Sequence, residues 1–109
     1  MAYRVEWRSE AARELGQMFS GKDQRRIISK VEDTAAGLPH SLELKTVSRL
    51  RGARLPPGAQ GAYELRIGRG YRVAFVLFAE TGTLRVYLAG THDYVNRLFL
   101  SALEGREGS

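Results

Sequence analysis

The chain contains no cysteine, so it can build neither a disulfide framework nor a thiolate metal site, and its redox compartment is left open. It has only two histidines, His40 and His92, far apart in sequence. They offer no metal constellation, so neither metal nor cofactor is expected. There is no Walker loop and no Ser-His-Asp pattern, and Gly68-Arg69-Gly70 reads as a turn rather than a phosphate cradle. No apolar run approaches the roughly 18 residues of a membrane-spanning helix. The opening MAYRVEWRSEAARE is charged throughout and lacks the apolar region of a secretory signal. No membrane partner is therefore expected, and the cytoplasm is the expected location. Acidic residues are also few, with 12 Asp and Glu against 17 Lys and Arg.

The 109 residues present suit a single domain spanning 1–109, and 43% hydrophobic with 27% charged residues is ordinary for a globular chain. The net charge of +5 is unevenly spread. Between positions 45 and 72 stand seven basic side chains (Lys45, Arg49, Arg51, Arg54, Arg66, Arg69, Arg72) and one acid, Glu64. That stretch alone carries +6, so the rest of the chain sums to −1. A basic stripe on a balanced domain is the footprint of a polyanionic partner, nucleic acid or an acidic protein; its bland reading is a solvated arginine-rich loop.

Hydrophobic periodicity divides the chain into an α+β order, β-α-α-β-β-β-α. Ala2 to Trp7 alternates, with Tyr3, Val5 and Trp7 on one face of a first strand. Ser9 offers an N-cap, and Ala11, Ala12, Leu15, Met18 and Phe19 follow at helical spacing up to Gly21. A second helix is predicted from about Asp23 to Leu38, buried along Ile27, Ile28, Val31, Ala35 and Leu38 and stopped by Pro39. Residues 40–61 carry apolar side chains too sparsely to assign, and Arg51 to Gly61 reads as a basic loop. Three strands then form an antiparallel meander, which the first strand is expected to join. Tyr63, Leu65 and Ile67 share a face, leaving Glu64 and Arg66 on the other. Tyr71 to Phe78 is apolar on both faces beyond Arg72, as a central strand would be. Leu84, Val86 and Leu88 alternate with Arg85 and Tyr87. A last helix from about Asp93 has an apolar stripe of Val95, Leu98, Phe99, Ala102 and Leu103, and the tail from Gly105 reads as frayed.

A sheet face with several arginines beside a histidine suits a phosphodiester, and RNA is the first substrate to consider. RNA can be cut without metal by its own 2′-hydroxyl, given a base, cationic donors for the phosphorane-like oxygens and an acid for the leaving 5′ oxygen. Histidine titrates near neutrality and suits the proton steps. Arginine stays charged, and its planar fork binds two phosphate oxygens. His92 lies just beyond the last strand, where reactive groups are common; its bland reading is a capping side chain. His40 reads as a surface turn residue. Arg66, Arg72 and Arg85 share a face by strand parity, and Arg66 and Arg72 stand at equal distances from their turn. Like charges opposite one another are unfavourable unless an anion joins them, with Glu64 or Glu80 as the internal alternative. Tyr87 and Tyr94 could stack on bases or assist proton transfer, while Tyr63, Tyr71 and Trp7 read as core. Asp93 reads as a helix cap.

The strand pair YELRIGRGYRVAFVL, Tyr63 to Leu77, carries the pattern Tyr-x-Leu-Arg-x-Gly-x-Gly-Tyr-Arg-Val, preceded by a basic loop. The closing strand LRVYLAGTH, Leu84 to His92, runs into a short helix. With the opening strand and helical hairpin, these features resemble the RelE/ParE superfamily of type II toxin–antitoxin toxins, especially the RelE and HigB-like mRNA interferases. The resemblance covers nearly the whole chain. It implies a small twisted antiparallel sheet with helices on one face and a concave face that binds mRNA in the ribosome. Arg66 falls where relatives carry a basic residue before the turn. Arg72 matches the arginine that contacts the scissile phosphate, and His92 matches the arginine or histidine that closes the site. Tyr94 loosely matches a C-terminal aromatic. Glu64 departs from the pattern, standing where RelE has a second lysine. The implied catalytic set is Arg66, Arg72, His92 and Tyr94. Lys45, Arg49, Arg51, Arg54, Arg69, Arg85 and Tyr87 are the candidate RNA-binding residues. The implied activity is ribosome-dependent, metal-independent mRNA cleavage. The implied partner is a cognate antitoxin with an acidic segment, encoded next door, and the toxin–antitoxin complex would bind operator DNA. The same fold also fits a ParE-like inhibitor of DNA gyrase, or an inactive member that only binds partners.

Overall fold

The computed structural model describes residues 3–51 and 54–103. Strand β1 (Arg4–Trp7) leads into helices α1 (Ser9–Met18) and α2 (Gly21–Ala36). A single 3-10 turn over His40–Glu43 precedes the short strand β2 (Val47–Arg49). Strands β3 (Gly61–Ile67), β4 (Tyr71–Phe78) and β5 (Thr83–Thr91) form the meander, and helix α3 (His92–Leu103) follows at once. The sheet order is β1-β5-β4-β3-β2. All neighbours are antiparallel except β1 and β5, which run parallel with Arg4 beside Thr83. The sheet is therefore mixed, because the helical hairpin returns the chain to the end at which β1 finished, so that β2 runs against β1 and β5 runs with it.

One face of the sheet is sealed by α1 and α2. Ala11, Leu15, Ile27, Val31 and Ala35 pack on Tyr63, Leu65, Ile67, Val73 and Phe75 in one cluster. Trp7 and Tyr71 pack at its border, as expected of core aromatics. Helix α3 lies on the opposite face, where Val95, Ala102 and Leu103 meet Ala62, Ala74 and Val76. The expectation of helices on one face alone is corrected here: Ala62, Ala74 and Val76 make the second face apolar too, and only α3 is available to bury it. Toward the hairpin turn at 68–70 that face is exposed at Arg66 of β3, whereas Arg72 of β4 and Gly90 of β5 are mostly covered.

Several local expectations shift. Ser9 is the first residue of α1 rather than its cap; Arg8 holds the cap position and contributes no side-chain bond. Ser20 caps α2, accepting from the Asp23 amide at 3.2 Å, so that helix begins at Gly21 and ends at Ala36. Ile28, read as buried, is exposed at 37%, and Met18, at helical spacing with the apolar residues of α1, is exposed at 45%. Residues 47–49, left unassigned, pair with β3 as the sheet's edge. The basic loop from Arg51 to Gly61 is irregular up to β3, with Gly52 and Ala53 outside the described residues. Ala2 and the tail from Gly105 also lie outside them.

The strict alternation expected for the last strand is broken. Phe75 faces Val86 but Ala74 faces Leu88, so Tyr87 is an extra residue, a β-bulge. Leu84 and Val86 pack with the helical hairpin, whereas Tyr87 and Leu88 both pack with α3. The bulge reverses the parity of everything after it. It brings Gly90, rather than its neighbour, into line with Arg72 on the α3 face.

Candidate active site

Arg66 and Arg72 are direct cross-strand partners in the β3–β4 hairpin, and Gly90 of β5 completes the row. Gly68 holds the hairpin turn at φ +63°, a conformation that favours glycine. Neighbouring strands lie about 4.8 Å apart, so the row from Arg66 to Gly90 spans about 10 Å. Arg66 is exposed and donates from Nη2 to the Lys45 carbonyl at 2.9 Å. Arg72 is held more tightly. Its Nη1 donates to its neighbour's carbonyl, at Tyr71, at 3.1 Å, and its Nε lies 3.5 Å from Glu64 Oε1. Their side chains are only 13% and 15% exposed. The Arg72 Nε is nevertheless buried without a hydrogen-bond partner, because Glu64 stands near enough to neutralise it but not to accept from it. Glu64 is thus the internal counter-ion, and Glu80 lies in the distant β4–β5 turn.

His92 opens α3 immediately after β5 and is exposed, with Nδ1 3.5 Å from Asp93 Oδ1. The capping role expected of Asp93 falls to Thr91, whose hydroxyl accepts from the Tyr94 amide at 3.3 Å. Tyr94 points away from solvent. Its hydroxyl donates to Glu14 of α1 in a short hydrogen bond, and its ring occupies the space a side chain at Gly90 would need. Burial, then the bond to Glu14 and that carboxylate's charge, push the Tyr94 phenol up to about 12. Glu14 also accepts from the Ala89 amide at 3.2 Å, on the edge of β5 that lies beyond β1. Its carboxyl is raised above the ordinary range, chiefly by burial, while its two hydrogen bonds and Arg13 oppose the rise. Glu14 was not singled out from the sequence. The signal was there: it stands three residues after Ala11 and one before Leu15, within the buried stripe of α1.

The remaining candidates disperse. Lys45, Arg51, Arg54 and Arg69 are exposed around the β2–β3 connection and the hairpin turn. Arg49 lies over the Tyr63 ring at 5.9 Å, on the face that bears the helical hairpin. Arg85 shares the face of Arg72 but pairs with Val76, four residues along β4 and so about 13 Å away. There it donates to Glu6 at 2.6 Å and covers Phe78. Tyr87 is buried, with the Arg8 guanidinium 4.6 Å from its ring centre. Two clefts, of about 240 and 250 Å³, flank the Arg66–Arg72 patch without including Arg72 or His92. Among the described residues no three His, Cys, Asp or Glu side chains gather as metal ligands. No helix among them is long and apolar enough to cross a membrane.

No protein-family model matches the chain, and no curated protein matches it in sequence. Solved structures do. A variant of the Escherichia coli toxin RelE in its free state superposes with a TM-score of 0.69, covering 97% of this chain and 98% of that one at 18% identity. This is the RelE fold. The RelE–RelB complex from Pyrococcus horikoshii OT3 gives a TM-score of 0.63 at 21% identity, covering 84% of this chain and 96% of its counterpart. The Mycobacterium tuberculosis toxin–antitoxin complex RelBE2 gives 0.52 at 23% identity, covering 84% and 100%. The resemblance in the strand-pair pattern thus extends to the three-dimensional course of the chain.

Proposed function

We propose that this chain is the toxin of a type II toxin–antitoxin pair and that it cuts mRNA on the ribosome without metal. The observation that carries this is the cross-strand pair Arg66–Arg72, two like charges opposite one another at the hairpin end of a sheet face, with His92 just past the neighbouring strand. Such a pair is unfavourable until an anion bridges it. A scissile phosphate seated there would meet the exposed Arg66 guanidinium and the exposed part of the Arg72 guanidinium, and His92 would serve a proton step. The attacking 2′-hydroxyl would leave a 2′,3′-cyclic phosphate and a 5′-hydroxyl. With its hydroxyl held by Glu14, Tyr94 contributes by supporting the end of β5 rather than by moving a proton. The exposed Lys45, Arg51, Arg54 and Arg69 would meet RNA around the site. RelE-fold toxins occur in complexes with RelB, and an antitoxin with an acidic segment is the corresponding partner here.

A second reading, a gyrase inhibitor of the same fold, draws on one observation. Arg72 already has a carboxylate neighbour, so a structural role accounts for it without phosphate.

Primer extension on an abundant translated transcript after a brief pulse of expression separates the two. Discrete cuts within the coding region, lost in Arg72→Lys and His92→Ala, are expected. Intact transcripts with supercoiling defects would transfer the assignment to gyrase, and cuts indifferent to both substitutions would remove this site.

A further inference from the structure

A second cationic site stands apart from the arginine row. Helix α2 crosses the end of β3 where β2 has stopped, and a cleft of about 240 Å³ opens between them. Arg26, Lys30 and Arg66 line it, with Thr46 and Gly68, and Asp33 is the one acidic residue of the lining. Arg26 and Lys30 lie one turn apart on α2, both exposed. Like charges at this spacing repel and destabilise a helix mildly. None of the three cations is ion-paired among the described residues. The Arg66 guanidinium is fixed by the Lys45 carbonyl and so is oriented before any ligand arrives. Arg26 lies across the hairpin turn, where its Nη2 would stand 3.2 Å from a Cβ at position 68. The glycine required there for its positive φ therefore also makes room for the guanidinium.

We propose that this cleft binds two successive backbone phosphates of the RNA strand, one at Arg26 and one at Lys30, so that the strand is held on both sides of the β3 edge. Arg66 belongs to both places: its residue faces Arg72 across the hairpin, and its side chain lines the cleft. The strand would leave the arginine row, pass Arg66 at the edge of the sheet, and set its next phosphates against Arg26 and Lys30. This inference rests on the RNA-directed reading above but does not require that the bound strand be cut.

The test is fluorescence anisotropy of a short, fluorescein-labelled, 2′-O-methylated single-stranded RNA, which cannot be cleaved by its own hydroxyl, titrated over a range of salt concentrations. Each phosphate contact on a single strand contributes about 0.7 to the slope of log affinity against log salt. Arg26→Gln/Lys30→Gln should make that slope shallower by about 1.4, two such contacts. Lys22→Gln/Arg25→Gln, which removes the same charge elsewhere on α2, should leave it unchanged. Equal effects from the two pairs would mean a diffuse field and would overturn the site, as would no change with the first pair. Thermal unfolding of both double variants checks that the fold is retained. A slope that responds only with duplex DNA would overturn the assignment to RNA. Slope loss as expected, with transcripts left intact in cells, would retain the cleft and remove the nuclease. Normal cutting with an unchanged slope would do the reverse.

Discussion

Arg72 has a contact to separate from a proposed role, neutralising Glu64 from meeting substrate, and the two respond differently to substitution. Truncation to alanine leaves the Glu64 carboxylate mostly buried beside no cation, a loss of about 1–3 kcal/mol expected in denaturant unfolding. Arg72→Lys keeps the charge but not the planar fork. It should unfold close to the parent while cleavage falls by about 10²–10³, the usual effect of losing one preorganised donor. A stable lysine variant that still cuts at the parent's rate would confine Arg72 to a structural role. Glu64→Gln gives the complementary measurement. Freed from its counter-ion, the arginine pair should repel more strongly, so binding of a non-cleavable RNA should tighten while thermal stability drops.

At the scale of elements, the end of β5 is held from two sides. Thr91 caps α3, and Thr91→Ala should cost about 1 kcal/mol in unfolding free energy. Glu14 ties α1 to β5 and α3, and its raised carboxyl fixes the sign of a pH effect. In the folded chain Glu14 keeps its proton to higher pH than in the unfolded chain. Stability from this group is therefore greatest in acid and declines as pH rises from the ordinary carboxyl range, near 4.5, through the raised folded value. Unfolding followed across that window should fall more steeply for the parent than for Glu14→Gln; parallel curves would contradict the burial of its charge. These details also mark where the sequence was legible. Strong periodicity located α1, α2, α3 and the hairpin β3–β4, and the Gly-x-Gly turn set the Arg66–Arg72 register. Strand β2 escaped notice because a three-residue edge strand with one buried side chain, Val47, has no period to detect. The bulge at Tyr87 was equally silent, since it arises from the fit of β5 to β4 rather than from any residue type. Of the candidate site, the arginine pair was readable; the Glu64 contact and the Glu14–Tyr94 lock depend on side chains meeting across distant segments.

For the molecule as a whole, charge and fold are only partly aligned. Most of the +6 of residues 45–72 gathers near the β2 edge, in the β2–β3 loop and at the hairpin turn, with Arg66 and Arg72 on the sheet face beside it. An acidic partner segment approaching that edge would be steered before it makes contact. If the proposed antitoxin partner exists, stopped-flow association with it should therefore slow steeply as salt rises, with dissociation changing little. An association rate indifferent to salt would remove the basic edge from that encounter.

The pairing of β1 with β5 has a consequence in time. Arg4 and Thr83 are neighbours in space but 79 positions apart in the chain, so the first strand made must wait for the last before it has anywhere to dock. Until β5 has left the ribosome, the helical hairpin has only an unfinished sheet to lie on, and the row Arg66–Arg72–Gly90 does not exist. Contacts of such long range slow folding, because the loop must close before they repay it. If the proposed activity is right, a nascent chain could not exercise it before β5 had been made and had joined the sheet.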